Sequence, residues 1–250
     1  MEISYGKFYS GSLGRDMEYK VYGTRGKPVL IIPCQCGRFY EFEDLGMLKV
    51  YAPYIHSGRI QVFTVDSPDG ESLFAKGDPR ARTERYEAWI NYAVREAVPH
   101  FSDINMRANG WRIRFMVCGL SLGALHAANL FFRFPEQFDA LMCLSGIYSM
   151  EYIFGDYHDD ITYNNSPQQF IAGMPADHPY IAQYNARRIV LCVGRGAWEN
   201  ETLESTLCFA RVLKKKGIEA WADIWGVDSR HDWDWWSAQA SYFLPRLLDY

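Results

Sequence analysis

The residues that most constrain this chain are Gly119-Leu120-Ser121-Leu122-Gly123, a Gly-x-Ser-x-Gly run between two apolar stretches. Ahead of it, residues 113–118 have the β-branched and aromatic content of a buried strand. Behind it, residues 124–134 are rich in Ala and Leu, as a helix would be. A strand that turns at once into a helix holds the intervening serine in a strained backbone conformation, and only small neighbours let strand and helix approach so closely. The hydroxyl then stands at the edge of a sheet, in the place of a nucleophile. The pentapeptide alone recurs by chance in about one chain in ten of this size, so its context and the residues downstream decide what it means.

That context is a succession of strands and helices. Residues 5–22 read as an antiparallel hairpin turning at Gly11-Ser12-Leu13-Gly14, because Met17, Tyr19 and Val21 alternate with Glu18 and Lys20. Val29-Leu30-Ile31-Ile32 is a short apolar run of the kind buried on both faces of a sheet, and it ends at Pro33-Cys34-Gln35-Cys36-Gly37. A helical pattern over 42–55, broken at Pro53, precedes a strand at 60–65. A charged helix over 82–98 stops at Pro99. Further strands fall at 138–146, 188–194 and 218–225, with a helix over 199–216 between the last two and a Trp-rich helix from about Asp232. Residues 147–185 show little periodicity and read as a lid-like or pocket-wall excursion. The pattern predicts one α/β domain over residues 1–250, a mostly parallel sheet with an N-terminal antiparallel hairpin and helices on both faces.

Composition narrows the partners. The formal net charge is −4, and the one basic run, Lys214-Lys215-Lys216, falls at a predicted helix end, where the helix dipole favours cations. This argues against nucleic acid. No apolar run is long enough to cross a membrane, and the first residues lack a signal-peptide core, so a cytoplasmic protein is expected. Of six cysteines, Cys118, Cys143 and Cys192 lie inside apolar runs, where a reduced thiol behaves as a small hydrophobe. Cys34 and Cys36 lack the spacing of a zinc or thioredoxin motif. The acidic segment Asp66-Ser67-Pro68-Asp69-Gly70-Glu71-Ser72 lacks the ligand spacing of a calcium loop and reads as a capped turn. No metal is expected.

A serine hydroxyl needs a base to remove its proton and an acid to orient that base. His126 follows Ser121 by five residues in the same helix, which points it into packing. His56 and His100 end predicted helices, and His158 and His178 fall in the excursion. His231 differs, because it follows the last strand on the sheet edge that carries Ser121. The acid should follow the preceding strand, which selects Glu199; Asp228, three residues from His231, is the main competitor and Glu201 a weaker one. Two backbone donors must face the oxyanion. Leu122, next after the nucleophile, supplies one, and the loop after the early apolar strand supplies the other, Gln35 first and Cys36 second. Aromatics crowd these loops: Phe39, Tyr40, Phe74, Tyr148, Tyr152, Tyr157 and Trp198. Cys36, Phe39, Tyr148 and Trp198 are the candidate substrate contacts.

With these residues in place the chain resembles, over nearly its whole length, the esterase family of α/β-hydrolases that includes esterase D, S-formylglutathione hydrolase, enterochelin esterase and antigen 85. The resemblance is carried by the hairpin around Ser12-Leu13-Gly14-Arg15-Asp16-Met17, by Gly119 to Gly123 with Ala124, and by Phe132-Arg133-Phe134-Pro135-Glu136-Gln137-Phe138. Leu144-Ser145-Gly146 and His231-Asp232-Trp233 with Trp236 complete it. It implies a serine hydrolase cleaving a carboxylic ester or thioester through an acyl-enzyme on Ser121, with no cofactor. Two features depart from the family pattern. Pro33-Cys34 stands where His-Gly or Asp-Gly is common, and Glu199 stands where Asp is common, glutamate being a known variant of that role. The same triad would serve an acyltransferase, and a silent hydrolase fold could serve as a binding protein. The resemblance leaves the ester unspecified, and self-association is compatible with the sequence.

Overall fold

The computed structural model describes residues 1–248. Eight strands form one sheet: β1 (Ile3–Ser10), β2 (Arg15–Tyr22), β3 (Lys27–Ile32), β4 (Ile60–Val65), β5 (Phe115–Leu120), β6 (Phe138–Leu144), β7 (Arg188–Val193) and β8 (Trp221–Ile224). Their spatial order is β1-β2-β4-β3-β5-β6-β7-β8. β1 pairs antiparallel with β2 and β2 antiparallel with β4, while every pair from β4 through β8 is parallel. The hairpin and the mostly parallel sheet are therefore as the sequence indicates. A parallel sheet carries its sites outside the carboxyl ends of its strands, so the loops after β3, β5, β7 and β8 meet on one edge.

The all-apolar strands are explained by what covers them. Side chains alternate across a strand, and here both destinations are core. Leu30, Ile32, Phe63 and Val117 pack on one face against Trp89 of α3 (Pro79–Tyr92), Phe101 of α4 (Val98–Asn109), Phe131 of α5 (Leu122–Arg133) and Phe209 of the helix Asn200–Lys215. Val29, Ile31, Val62, Met116 and Cys118 face the other way. They meet Tyr51 of α2 (Leu48–His56) and Phe243 and Leu244 of the helix Trp233–Leu248. α1 (Glu41–Asp44) is a single turn beside the loop after β3.

Three segments depart from the sequence reading. The helix expected to stop at Pro99 continues to Asn109, because a π-type turn at Ala93–Ala97 widens the backbone and lets Pro99 enter the first turn of α4. The helix expected to break at Pro53 instead breaks earlier, at Gly46, whose φ of 82° is left-handed, and Pro53 lies inside α2. Residues 147–185 hold four short helices, α6 (Glu151–Phe154), α7 (Asp160–Asn164), α8 (Pro167–Gly173) and α9 (Pro179–Asn185). They are too short to show a 3.6-residue period. Their signals are local: a capping box at Asp159 and a proline in the first turn of α8 and of α9.

This segment is fastened rather than loose. Met150, Ile171 and Tyr184 are buried, and the Tyr184 hydroxyl donates to the Phe132 carbonyl at 2.5 Å. Phe209, on α10 (Asn200–Lys215), stacks on Tyr148 at 4.6 Å and meets Phe132 edge-on at 5.5 Å. The closing helix is α11 (Trp233–Leu248). No helix among the described residues is long and apolar enough to cross a membrane. Phe209→Ala should lower unfolding free energy by about 3–5 kcal/mol through the cavity it leaves, read as a lower urea midpoint.

Candidate active site

Ser121 sits between the last residue of β5 and the first of α5 with φ 54° and ψ −127°, a conformation L-residues rarely adopt. The close approach depends on both flanking glycines. A Cβ on Gly119 would overlap the Gly123 carbonyl, and a Cβ on Gly123 would overlap the backbone carbonyls of Ile32 and Pro33. Gly123 therefore admits the loop after β3 to the base of Ser121. The Ser121 N–H donates to the Leu144 carbonyl at 2.9 Å, which ties the turn to the next strand.

His231 and Glu199 reach this serine from the loops after β8 and β7. The Ser121 hydroxyl donates to His231 Nε2 at 2.9 Å, and His231 Nδ1–H donates to Glu199 Oε2 at 3.2 Å. The carboxylate can only accept, which fixes this assignment of the imidazole protons. The two loops are joined by their backbones: Gly196 N–H donates to the Ser229 carbonyl at 2.7 Å, and His231 N–H to the Ala197 carbonyl at 3.0 Å. The His231 ring stands edge-on to Trp236 at 4.9 Å.

The Glu199 side chain is 1% exposed, so it needs internal donors. Ser145 Oγ donates to Oε1 at 2.6 Å, Thr202 Oγ1 to Oε2, and Gly194 N–H approaches Oε1 at 3.4 Å; Trp236 Nε1–H in turn donates to Ser145 Oγ at 2.9 Å. Burial alone pushes the carboxyl up. The hydrogen bonds from His231, Ser145 and Thr202, with the imidazole charge, outweigh burial and hold its pKa below the ordinary carboxylate value. Asp228 is exposed and makes no hydrogen bond to His231, and Glu201 is exposed on the cleft wall.

The loop after β3 is a tight turn, with Gly37 N–H donating to the Cys34 carbonyl at 2.9 Å. Its flanking amides are taken. Cys34 N–H donates to Glu41 Oε2 at 2.8 Å and Cys36 N–H to Asp69 Oδ2 at 2.9 Å, while the Gln35 N–H between them has no acceptor among the described residues. Leu122 N–H, first in α5, lies outside the intrahelical pairing. The acidic turn after β4 is thus a set of caps for its neighbour: Asp69 holds Cys36, and Asp66 accepts from Phe39 N–H at 2.8 Å.

A cleft of about 450 Å³ opens over Ser121 and His231, lined by Gln35, Phe74, Leu122, Ile147, Tyr152, Ile153, Trp198, Asn200, Glu201 and Thr202 as well. Trp198 is 86% exposed. Three expected substrate contacts lie elsewhere. Tyr148 is fully buried against Phe209, Phe39 is buried against Tyr5 and Tyr40, and Cys36 opens on a neighbouring groove with Arg15 and Arg38. The reason is shared: each was placed by nearness in sequence, and the turn directions send these side chains away from Ser121. Tyr157 binds Asp159, away from the cleft. Among the other histidines, His56 ends α2 exposed, and His178 caps α9 by accepting from Tyr180 N–H. His100 begins α4 instead of ending a helix and bonds the Tyr19 hydroxyl at 2.8 Å. His126 is buried. The sequence reading overlooked Ser145, Thr202, Glu41 and Asp69. Ser145 closes β6 on the same edge, a position that could have pointed to it.

All four non-glycine residues with left-handed φ among the described residues stand at this edge: Cys36 (56°), Ser121 (54°), Ser145 (52°) and Trp198 (67°). Such clustering of backbone strain marks functional sites.

A family model described as "Putative esterase" matches residues 10–247. The chain belongs to that family. It is an esterase, an enzyme that cleaves carboxylic esters. Comparison with curated proteins finds no match. Among solved structures it is similar to a ferulic acid esterase at TM-score 0.73 and 15% identity, covering 99% of this chain and 97% of that one. It is also similar to an S-formylglutathione hydrolase from Agrobacterium tumefaciens, at 0.69 and 14%, covering 98% and 94%. A third is the fluorophosphonate-binding serine hydrolase F of Staphylococcus aureus, at 0.70 and 11%, covering 100% and 99%. At these identities the likeness is one of fold.

Because the folded pKa of Glu199 is depressed, its ionisation stabilises the fold fully above the unfolded value near about 4.3 and loses that contribution as pH falls through the folded value. Glu199→Gln should flatten this part of the acid limb, read as urea midpoints between about pH 6 and pH 3.

Proposed function

We propose that Ser121, His231 and Glu199 act as the catalytic triad of one α/β-hydrolase unit, with Leu122 and Gln35 as oxyanion donors. The observation that carries this is the unbroken relay from Ser121 Oγ through the imidazole to a buried, fully hydrogen-bonded carboxylate. His231 takes the serine proton as Oγ attacks the ester carbonyl, and Glu199 stabilises the imidazolium that forms. The developing oxyanion lies between the Leu122 and Gln35 amides, donors that need no reorganisation. His231 then protonates the leaving alcohol, and the acyl-enzyme is hydrolysed by a water activated in the same way.

The cleft supports a neutral ester with an aromatic or apolar part. Its walls present Phe74, Tyr152, Trp198, Ile147 and Ile153, one carboxylate, Glu201, and no lysine or arginine. An anionic thioester would find no cation there besides a protonated His231. We place the enzyme in the cytoplasm, since its six cysteines are free and three are buried in strands.

Ser121→Ala should abolish fluorophosphonate labelling and lower kcat by about 10⁴ or more. Glu199→Gln should lower kcat by about 10²–10⁴, with Asp228→Asn within about twofold of the parent. The reverse ranking would reassign the acid. In a panel of activated esters, neutral aromatic esters should exceed an acidic thioester in kcat/KM by about tenfold or more; a preference for the thioester would reject the cleft reading.

A further inference from the structure

α5 carries a second buried histidine–carboxylate pair that the triad does not use. His126 and Asp69 are both fully buried, and His126 Nε2–H donates to Asp69 Oδ1 at 2.8 Å. The other carboxylate oxygen accepts the Cys36 N–H of the loop after β3. Behind the imidazole, the Tyr86 hydroxyl donates to His126 Nδ1 at 2.8 Å and accepts from Asn129 Nδ2 at 3.1 Å. Every proton in this chain has one direction, running from α5 and α3 towards a single acceptor, Asp69.

The carboxylate bears on the backbone of the proposed oxyanion donor. Cys34 to Gly37 form a tight turn in which Cys36, its second central residue, has φ 56° and Gln35 before it does not have positive φ. That is the type II arrangement, whose second central position ordinarily belongs to glycine. In the alternative type I turn the central peptide is rotated by about half a turn, and the Cys36 N–H would leave Asp69. A buried carboxylate deprived of this donor would be left short of partners, so Asp69 selects the strained turn. His126 is the second donor to Asp69 and aims its carboxylate.

We propose that Asp69 and His126 are positioning residues for catalysis: by fixing the Gln35–Cys36 peptide, next in the chain to the amide that carries the Gln35 N–H, they anchor the turn of residues 34–37 where that N–H faces the oxyanion. The proposal rests on the reading of Ser121 and Gln35 given above and adds a device that acts on it. It also gives the polar His126 a reason to stand in the middle of a mostly apolar helix.

The test compares Asp69→Asn, His126→Leu and His126→Gln in hydrolysis of a p-nitrophenyl ester and in inhibition by a trifluoromethyl ketone, whose tetrahedral adduct places an oxyanion in the same spot. Asp69→Asn and His126→Leu should lower kcat by about 10- to 10³-fold, the scale of a misplaced oxyanion donor, with KM within about threefold. Ketone affinity should weaken in step with kcat/KM. A glutamine amide can donate to Asp69 and accept from Tyr86, so His126→Gln should recover most of the loss. Should His126→Leu fail to fold, the isosteric Asp69→Asn carries the comparison alone. The proposal is overturned if folded Asp69→Asn keeps kcat within about twofold of the parent, or if only thermal stability falls while ketone affinity is unchanged. Fluorophosphonate labelling of Ser121 in the parent separates the two readings: its absence overturns the triad, whereas labelling with unaltered variant kinetics overturns only the positioning role.

Discussion

The contact on which the rest depends is the backbone-to-backbone approach of β5, α5 and the loop after β3. It is made of van der Waals surfaces without side chains: Gly119 lies against the Gly123 carbonyl, and Gly123 against Ile32 and Pro33. Only glycine allows strand, helix and loop to come so near. Two consequences follow from the same closeness. Ser121 is forced into its left-handed setting at the cleft, and Gln35 lines that same cleft with Leu122, the first residue of α5. The proposed nucleophile and the loop of its proposed oxyanion donor thus meet in one piece of packing, and that packing is fixed by the two cores that clamp the sheet from either face.

Opposite this contact, the loops after β7 and β8 solve a different problem. A carboxylate at 1% exposure is costly unless every lone pair finds a donor. Glu199 meets that cost with an imidazole, two hydroxyls and a longer backbone contact. Trp236, from α11, steadies one of the hydroxyls and packs edge-on to the imidazole. The closing helix therefore contributes to the apolar core and to the polar shell through one side chain. The greater reach of glutamate over aspartate is accommodated at the first position before α10, where Thr202, one turn on, can cap the same carboxylate.

Much of this was legible in the residues. The alternation of Met17, Tyr19 and Val21 marks the hairpin, the unbroken run at 29–32 marks a doubly covered strand, and the order Ser121, Glu199, His231 places three chemical groups after three parallel strands. Those readings rest on period and order, which survive folding. What was not legible depends on where a turn sends its neighbours. Phe39 and Tyr148 look like cleft aromatics by position in the chain, yet each turns into a core. The short helices of 147–185 are written in caps and prolines, signals that a search for periodicity passes over. Asp69 reads as part of an acidic turn, and its partners come from 33 and 57 residues away in sequence, beyond any local pattern.

The four left-handed residues have a consequence for what their side chains are worth. Glycine takes positive φ with little penalty, whereas another L-residue gives up about 1–2 kcal/mol. At Ser121 and Ser145 the hydroxyls are put to use by that setting, one donating to His231 and one to Glu199. At Trp198 the indole hangs in solvent over the cleft, contributing little to the core. Backbone conformation and exposure together set Trp198 apart from Tyr148 and Phe39, which are buried and have no left-handed φ.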